Sequence, residues 1–223
     1  SSVWRKKWKR QAENIFWLGR YLTRTQYLCA QFPFTQDQPA MDYAHAFCLP
    51  AFDACSLNEL ILNPNNPASF NQQFQSAKSN VQDLRGILSA KAYAELNQFI
   101  KNATENTAYI CDVVGECQDV LESEASDVFL FFSLGQMIEQ LDRQIRLKQD
   151  AQNTLVEIEN IVMLLKEMGW LNLAQAWLEL KSQPDAMNFY HFSDYIQQLF
   201  EVDVWNLWSI TKRIINTVNW PWI

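Results

Sequence analysis

Glycine and proline are scarce in this sequence. It contains 5 glycines and 7 prolines in 223 residues, about 5% of the chain where a typical domain has about 12%. Hairpin turns and phosphate-binding loops depend on these residues for their backbone angles. A mainly β protein is therefore not expected. Because 48% of the residues are hydrophobic, the chain can still bury a substantial core.

Positive charge is sparse outside the first 24 residues. Those residues hold seven of the 18 Lys and Arg and a single acid, Glu13, whereas the remainder is acidic and the formal net charge is -7. Nucleic-acid affinity comes largely from Lys and Arg that neutralise phosphates, so DNA or RNA is not an expected partner. On this basis we divide the chain into a basic, Trp-rich segment at 1–10, where the first helix starts, and a helical domain at 11–223.

Long apolar runs and paired cysteine motifs are both missing. The longest uncharged apolar stretch, Val128–Ile138, has 11 residues, short of the roughly 20 that a membrane-spanning helix requires. The five cysteines form no CxxC pair, and no secretory signal is visible. We therefore expect reduced thiols, a cytoplasmic location and no membrane span.

Residues for metal or nucleotide chemistry are also few. His45 and His191 are the two histidines, and neither stands with a second ligand in a zincin or ExxH arrangement. No glycine-rich phosphate loop or serine elbow occurs. Asp112, Glu116 and Asp119 share one helical face, which we interpret as a solvated stripe rather than a cation site. The residues thus predict no catalytic, cofactor or metal site.

Apolar periodicity predicts helices along the whole chain. The clearest stripe steps by three and four residues from Phe70 to Leu88, with Phe74 buried and its neighbour Gln73 exposed. Asn66 and Pro67 have the residue types of an N-cap and a first helical position. We predict an all-α, single-domain bundle of about eight or nine helices, the last at 203–218.

A short internal repeat lies within this helical pattern. Phe16–Gly19 recurs as Phe132–Gly135 with one change, at a spacing of 116 residues. A glycine inside a helix costs about 1 kcal/mol relative to alanine, so two glycines at matched places suggest a close helix crossing. We interpret the pattern as a weak internal helical repeat.

Charge differs in sign between the two copies. Arg20 and Arg24 of the first copy become glutamines in the second, whereas Glu139 and Asp142 of the second copy correspond to Thr23 and Gln26 in the first. If the glycines bring the helices together, these charges pair across the seam or line a polar pocket. Two independent solvated faces are the alternative.

Three blocks of the sequence resemble the bacterial alpha-E domain family. They cover roughly residues 10–150 and occur in the family's order. The blocks are Ala12–Leu22 with Arg24; Leu62–Ser69 with Ala77–Asn80, Arg85 and Ser89; and Leu134-Gly135 with Glu139, Asp142 and Arg143. The chain departs from the family at Thr23 and Gln26, where the family favours acids, and at Lys78-Ser79, where it favours an Arg-Glu pair.

The resemblance implies a setting in amide or peptide bond formation. Proteins of this family are helical and are typically encoded beside, or fused to, a circularly permuted ATP-grasp ligase. We therefore expect a partner of such a ligase that positions a peptide or amino-acid substrate, with ATP and Mg²⁺ on the ligase. The candidate binding residues for substrate or partner are Glu13, Arg20, Tyr21, Arg24, Glu139, Asp142 and Arg143. The arginines would bind a carboxylate of the substrate, and the acids would bind an amine.

Two other functions stay open at this point. The protein could itself be an enzyme, in which the same carboxylates act as general acid and base. A membrane-surface adaptor could instead use the basic N-terminal segment together with tryptophans at both ends of the chain, namely Trp4, Trp8, Trp205, Trp208, Trp220 and Trp222.

Overall fold

A computed structural model describes residues 2–124, 126–167 and 171–200 and is all-α. That part of the chain holds ten α-helices, rather than the eight or nine predicted. A short 3₁₀ turn at Thr107–Tyr109 precedes the sixth helix. The helix expected at 203–218 lies outside the described residues. The helices are α1 Ser2–Gln31, α2 Asp37–Ala46, α3 Ala54–Leu62, α4 Phe70–Gln82, α5 Ala90–Glu105, α6 Ile110–Glu122, α7 Ser126–Arg146, α8 Gln152–Glu167, α9 Leu171–Ser182 and α10 Ala186–Phe200.

Side-chain caps fix several helix starts. Ser89 caps α5, because its hydroxyl accepts from the Ala92 N–H. The predicted start of α4 at Pro67 is wrong: α4 begins at Phe70, and Ser69 is its N-cap. The side chain of Asn66 instead accepts from the Ala68 N–H, which holds the preceding residues in a turn.

Residues 14–150 form one compact unit, and the residues before 14 and after 150 form another. In the first of these, the predicted stripe is buried at every position from Phe70 to Leu88, but α4 ends at Gln82, so Leu84 and Leu88 lie in the turn that follows and not on one continuous helix. The prediction that Gln73 is exposed is wrong, because only 7% of its surface is accessible. In the other unit, Trp177 of α9 is buried against Phe192 of α10.

The helix order repeats along the chain at the spacing of the short sequence repeat. Helices α1 to α4 recur as α7 to α10, and α4 and α10 begin 116 residues apart, at Phe70 and Ala186. Their caps recur as well: Ser69 accepts from the N–H of Gln72, and Asp185 accepts from the N–H of Asn188. The four-residue sequence repeat is thus part of an arrangement of four helices that occurs twice along the chain.

Two cysteines pair within the 14–150 unit. A disulfide joins Cys29 of α1 to Cys111 of α6 across a Cα–Cα distance of 5.5 Å. The expectation of reduced thiols is therefore wrong for these two residues, because helix packing brings together cysteines 82 positions apart. Among the described residues, no helix is long and apolar enough to cross a membrane.

Candidate functional site: an ion-pair cluster beside a polar cavity

Helices α1 and α7 cross at the two repeated glycines, as predicted. A Cβ atom on Gly19 would meet the Phe132 carbonyl oxygen and would lie 3.1 Å from the Gln136 nitrogen. A Cβ on Gly135 would meet the Phe16 carbonyl oxygen and would lie 3.2 Å from the Arg20 nitrogen. Since the atoms nearest to both Cβ positions belong to the backbone of the facing helix, a side chain at either glycine would force the helices apart.

This close approach brings two arginines of α1 onto Glu139 of α7. Arg20 donates through Nε to Glu139 Oε2 at 2.9 Å. Arg24 donates through Nε to Oε1 at 2.6 Å and through Nη2 to Oε2 at 3.0 Å. The Glu139 carboxylate is almost fully buried, so this doubly paired group is far stronger than a surface ion pair. The predicted pairing across the seam is confirmed.

Asp142 extends the cluster by one turn of α7. Its Oδ2 accepts from Arg20 Nη2 at 3.5 Å and its Oδ1 from Arg146 Nε at 2.7 Å. Arg146 also donates through Nη1 to the Ala46 carbonyl oxygen at 2.9 Å. Three guanidinium groups therefore face two carboxylates, and the cluster of Arg20, Arg24, Arg146, Glu139 and Asp142 carries one net positive charge.

Electrostatics keep Glu139 and Arg24 ionised. Burial by itself raises the pKa of Glu139, but the charges and hydrogen bonds of Arg24 and Arg20 outweigh it and hold the pKa below its usual value. Burial likewise works against the charged form of Arg24, yet the nearby carboxylate of Glu139 leaves the pKa of Arg24 raised. Both groups stay charged near neutral pH.

The carboxylates are fully engaged by arginines. Each oxygen of Glu139 and Asp142 accepts from at least one guanidinium. The expectation that these acids bind a substrate amine therefore has no support in this arrangement. Their evident role is to orient Arg24 and Arg146, each of which keeps one terminal nitrogen that these bonds do not use.

A cavity of about 310 Å³ adjoins the cluster. Its polar wall is formed by Arg24, Tyr43, Gln73, Asp142 and Arg146, and its apolar wall includes Leu28, Phe47, Leu49 and Ile61. All of these residues belong to the 14–150 unit. A concave, mostly apolar space with a few convergent polar groups is the usual form of a small-ligand site.

Gln73 is the unusual member of this wall. Its side chain is more than nine-tenths buried, and its Oε1 atom has no hydrogen-bond partner. A buried amide oxygen without a partner costs about 1–3 kcal/mol. Gln73 thus lines the cavity, while its Oε1 atom is closed off from solvent.

The other predicted site residues lie apart from the cavity wall. Glu13 accepts a hydrogen bond from Gln197 Nε2 of α10 at 2.9 Å, within the unit formed by the chain ends. Tyr21 stacks at a tilt on Trp17 with ring centroids 5.7 Å apart. The guanidinium of Arg143 lies 4.0 Å from the ring centre of Tyr27, which is a cation–π contact.

Sequence reasoning missed three residues of the site. Arg146 follows Asp142 by four positions, which is the spacing of a helical ion pair, so a signal was present. Tyr43 and Gln73 reach the cavity from α2 and α4 through tertiary packing alone. Side chains of Trp4 and Trp8 and all residues after 200 lie outside the described part, so the proposed aromatic ends stay a prediction.

The acidic stripe on α6 is exposed, as predicted for a solvated face: Asp112, Glu116 and Asp119 all face solvent. Among the described residues, no group of three His, Cys, Asp or Glu side chains could hold a metal ion.

These features define an all-α domain with a duplicated helix plan and a buried charge cluster at its central helix crossing. A model of the Alpha-E family, described as a predicted alpha-helical domain with a conserved ER motif, matches residues 9–182. The chain belongs to the Alpha-E family. No curated protein and no solved structure matches it.

The chain contains no Glu-Arg dipeptide. Arg24 follows Thr23 in the first copy of the repeat, and Glu139 precedes Gln140 at the corresponding positions of the second. Arg24 and Glu139 bind each other directly, so a glutamate–arginine contact joins the two copies.

Proposed function

We propose that this protein is a helical partner of an ATP-grasp type amide or peptide ligase. It binds or positions the substrate of that ligase and does not bind the nucleotide. The observation that carries the proposal is the cavity beside the ion-pair cluster. Arg24 and Arg146 are held there by buried carboxylates and retain a free terminal nitrogen each. Guanidinium groups fixed in this way suit a substrate carboxylate, because little side-chain entropy is lost on binding.

The ligase setting comes from the family resemblance. Formation of an amide from a carboxylate by this class of enzyme requires ATP and Mg²⁺. The sequence offers no glycine-rich cradle for a phosphate, which supports placing ATP and Mg²⁺ on the partner. The proposal extends to a bacterial source and a peptide or amino-acid substrate.

Catalysis by the helical carboxylates is not favoured. A general acid or base needs a pKa near the operating pH and an accessible oxygen. The pKa of Glu139 is lowered, and both of its oxygens accept from arginines. The carboxylate therefore serves better as an anchor for the arginines than as a proton carrier.

A cytoplasmic location belongs to the same proposal, since ATP-dependent ligases work where ATP is abundant. Reducing conditions there would keep thiols free, so the Cys29–Cys111 disulfide provides a direct test. If the location is cytoplasmic, thiol labelling in intact cells should find Cys29 and Cys111 reduced, and the disulfide of the structure would then form only after lysis. A quantitative disulfide in cells would instead place the protein in an oxidising compartment.

The main experiment is reconstitution with a ligase. Tagged protein should recover an ATP-grasp ligase from its native cell, and adding the purified chain should accelerate that ligase's amide formation. The variant Arg146→Gln should lose the acceleration, whereas Lys91→Gln, at an exposed helical pair on α5, should keep it. Micromolar binding of Mg-ATP to the isolated chain, or ligation unaffected by its addition, would overturn the proposal.

A further inference from the structure

We propose that the cavity binds an apolar carboxylic acid as its anion, with a single carboxylate and no ammonium group beside it. The inference rests on the proposed function only for its biological setting, where it narrows the substrate by excluding a free amino acid. Binding itself is measurable with the isolated chain and no ligase. The features that carry the inference are two arginines held in place, a wall with one net positive charge, and an apolar lining.

Two arginines of the cavity wall are held in place by the protein itself. Arg24 donates twice to Glu139, at 2.6 and 3.0 Å. Arg146 donates to Asp142 at 2.7 Å and to the Ala46 carbonyl oxygen at 2.9 Å. These bonds leave Nη1 of Arg24 and Nη2 of Arg146 unused. Guanidinium groups that are fixed in this way bind a carboxylate with little loss of side-chain entropy.

The charge of the cavity wall matches one negative charge on the ligand. Arg24, Arg146 and Asp142 are the charged residues that line the cavity, so the wall carries one net positive charge. Burial raises the pKa of Tyr43, so its hydroxyl stays protonated and adds no negative charge. A monoanion therefore neutralises the wall, whereas a dianion would leave an excess negative charge beside Asp142.

An ammonium group next to the carboxylate is disfavoured by the same wall. In a free α-amino acid the two groups are joined through one carbon atom, so an ammonium lies near the arginines wherever the carboxylate contacts them. Asp142 is the acid on the cavity wall, and its two oxygens already accept from Arg20 and Arg146. The ammonium would therefore meet positive charge without an unpaired acid to balance it.

The apolar lining and the volume limit the rest of the ligand. Leu28, Phe47, Leu49 and Ile61 line the cavity. The guanidinium of Arg146 lies 5.4 Å from the ring centre of Phe47, so the charged and the apolar parts of the lining adjoin. The cavity volume of about 310 Å³ is at the lower end of ligand sites. A carboxylate with a short hydrocarbon chain fits these limits.

Four small probes test these features one at a time on the wild-type protein. The acid 4-methylpentanoate has an apolar chain and one carboxylate, and it should bind with a Kd of about 1 mM or tighter by calorimetry. The amide 4-methylpentanamide lacks the negative charge, L-leucine adds an ammonium beside the carboxylate, and hexanedioate adds a second carboxylate to the chain. Each should bind at least roughly tenfold more weakly. Absence of 4-methylpentanoate binding, or equal binding of any of the three analogues, contradicts the proposal.

Variants locate the binding in the cavity. Arg146→Gln should weaken 4-methylpentanoate at least roughly tenfold and abolish its advantage over the amide. Leu49→Asp adds a negative charge to the half-buried apolar lining and should weaken the acid by a similar factor. Lys91→Gln removes a positive charge from an exposed pair on α5 and should bind as the wild type does. Unchanged binding of the acid to folded Arg146→Gln or Leu49→Asp protein would overturn the proposal. If neither variant folds, the comparison of probes on wild-type protein still decides.

The outcome is separable from that of the ligase experiment. Selective binding of 4-methylpentanoate without any effect on a ligase would leave the site in place and remove the proposed function. Acceleration of a ligase without probe binding would do the reverse.

Discussion

Helices α1 and α7 occupy the same place in the two copies of the repeat but carry opposite charges. Each keeps the glycine at the crossing. Arg20 and Arg24 lie on α1, whereas Glu139 and Asp142 lie on α7. Helix α7 also supplies Arg146, which pairs with Asp142 of the same helix. The bonds that join the two helices nevertheless all run from an arginine of α1 to an acid of α7.

The remaining helices of the two copies differ in a second way. At the repeat spacing, Ile61 of α3 corresponds to Trp177 of α9, and Gln73 of α4 corresponds to Phe189 of α10. Ile61 and Gln73 line the cavity, while the second copy has larger apolar side chains at both places. Trp177 is buried and Phe189 is half-buried, whereas the first copy has a cavity beside the corresponding residues.

The largest expected effect contrasts α4 with α10. Phe74 is 1% exposed and its counterpart at the repeat spacing, Tyr190, is 65% exposed. Phe74→Ala should lower the free energy of unfolding by about 3–5 kcal/mol, since it leaves a cavity in the core. Tyr190→Ala should change it by less than about 0.5 kcal/mol. Equal losses of unfolding free energy in urea denaturation would show that Phe74 and Tyr190 are buried to the same extent.

Glycine substitutions test the helix crossing. Gly135→Ala should destabilise the protein by about 3 kcal/mol or more, because its Cβ would meet the backbone of Phe16. Gly115 of α6 has open space around the Cβ position, so Gly115→Ala should stabilise the protein by up to about 1 kcal/mol. Chemical denaturation measures both changes. A tolerated Gly135→Ala would show that α1 and α7 do not touch at this point.

Glu139 is one of the two acids of the cluster, and it should make the free energy of unfolding depend on pH. Glu139→Gln should cost about 2–3 kcal/mol at pH 7, because it leaves buried guanidinium charge without a partner. The folded-state pKa of Glu139 is lowered. Its contribution is therefore fully present above the unfolded pKa of about 4.3 and is lost as the pH falls through the folded value.

Urea denaturation at pH 7 and at pH 3.5 measures this contribution. The wild type should lose more stability than Glu139→Gln over that interval. A variant with the same pH slope as the wild type would indicate that the pKa of Glu139 is the same in the folded and unfolded protein, so that the arginines do not lower it.

The smallest expected effect on stability comes from Thr23 in the first copy of the repeat. Thr23 stands where the family resemblance leads one to expect an acid, and its buried Oγ1 has no hydrogen-bond partner. Thr23→Val should stabilise the protein by up to about 1 kcal/mol, since it removes an unsatisfied polar atom. Thr25 donates to the Tyr21 carbonyl oxygen at 2.8 Å, so Thr25→Val should not stabilise. Thermal melts of the two variants provide the comparison.

Apolar spacing and the repeated glycines were sufficient to predict the helical fold, the core stripe of α4 and the pairing of Arg20 and Arg24 with Glu139 and Asp142. These features are local or follow from a repeat visible in the sequence, because a helix places every third or fourth residue on one face. The helix start at Phe70 was missed, since Ser69, Asn66 and Pro67 all have the residue types of a helix start and only backbone hydrogen bonding selects among them.

Tertiary structure alone decided the position of the cavity and the residues that line it. Gln73 lies next to Phe74 on a polar-looking face, and nothing local shows that α4 packs so as to bury it. Tyr43 and Arg146 reach the same cavity from helices about 100 residues apart in sequence. The disulfide between Cys29 and Cys111 has the same origin. The sequence by itself determined which residues form helices and which charges complement each other, whereas long-range packing decided which polar groups are left buried without a partner.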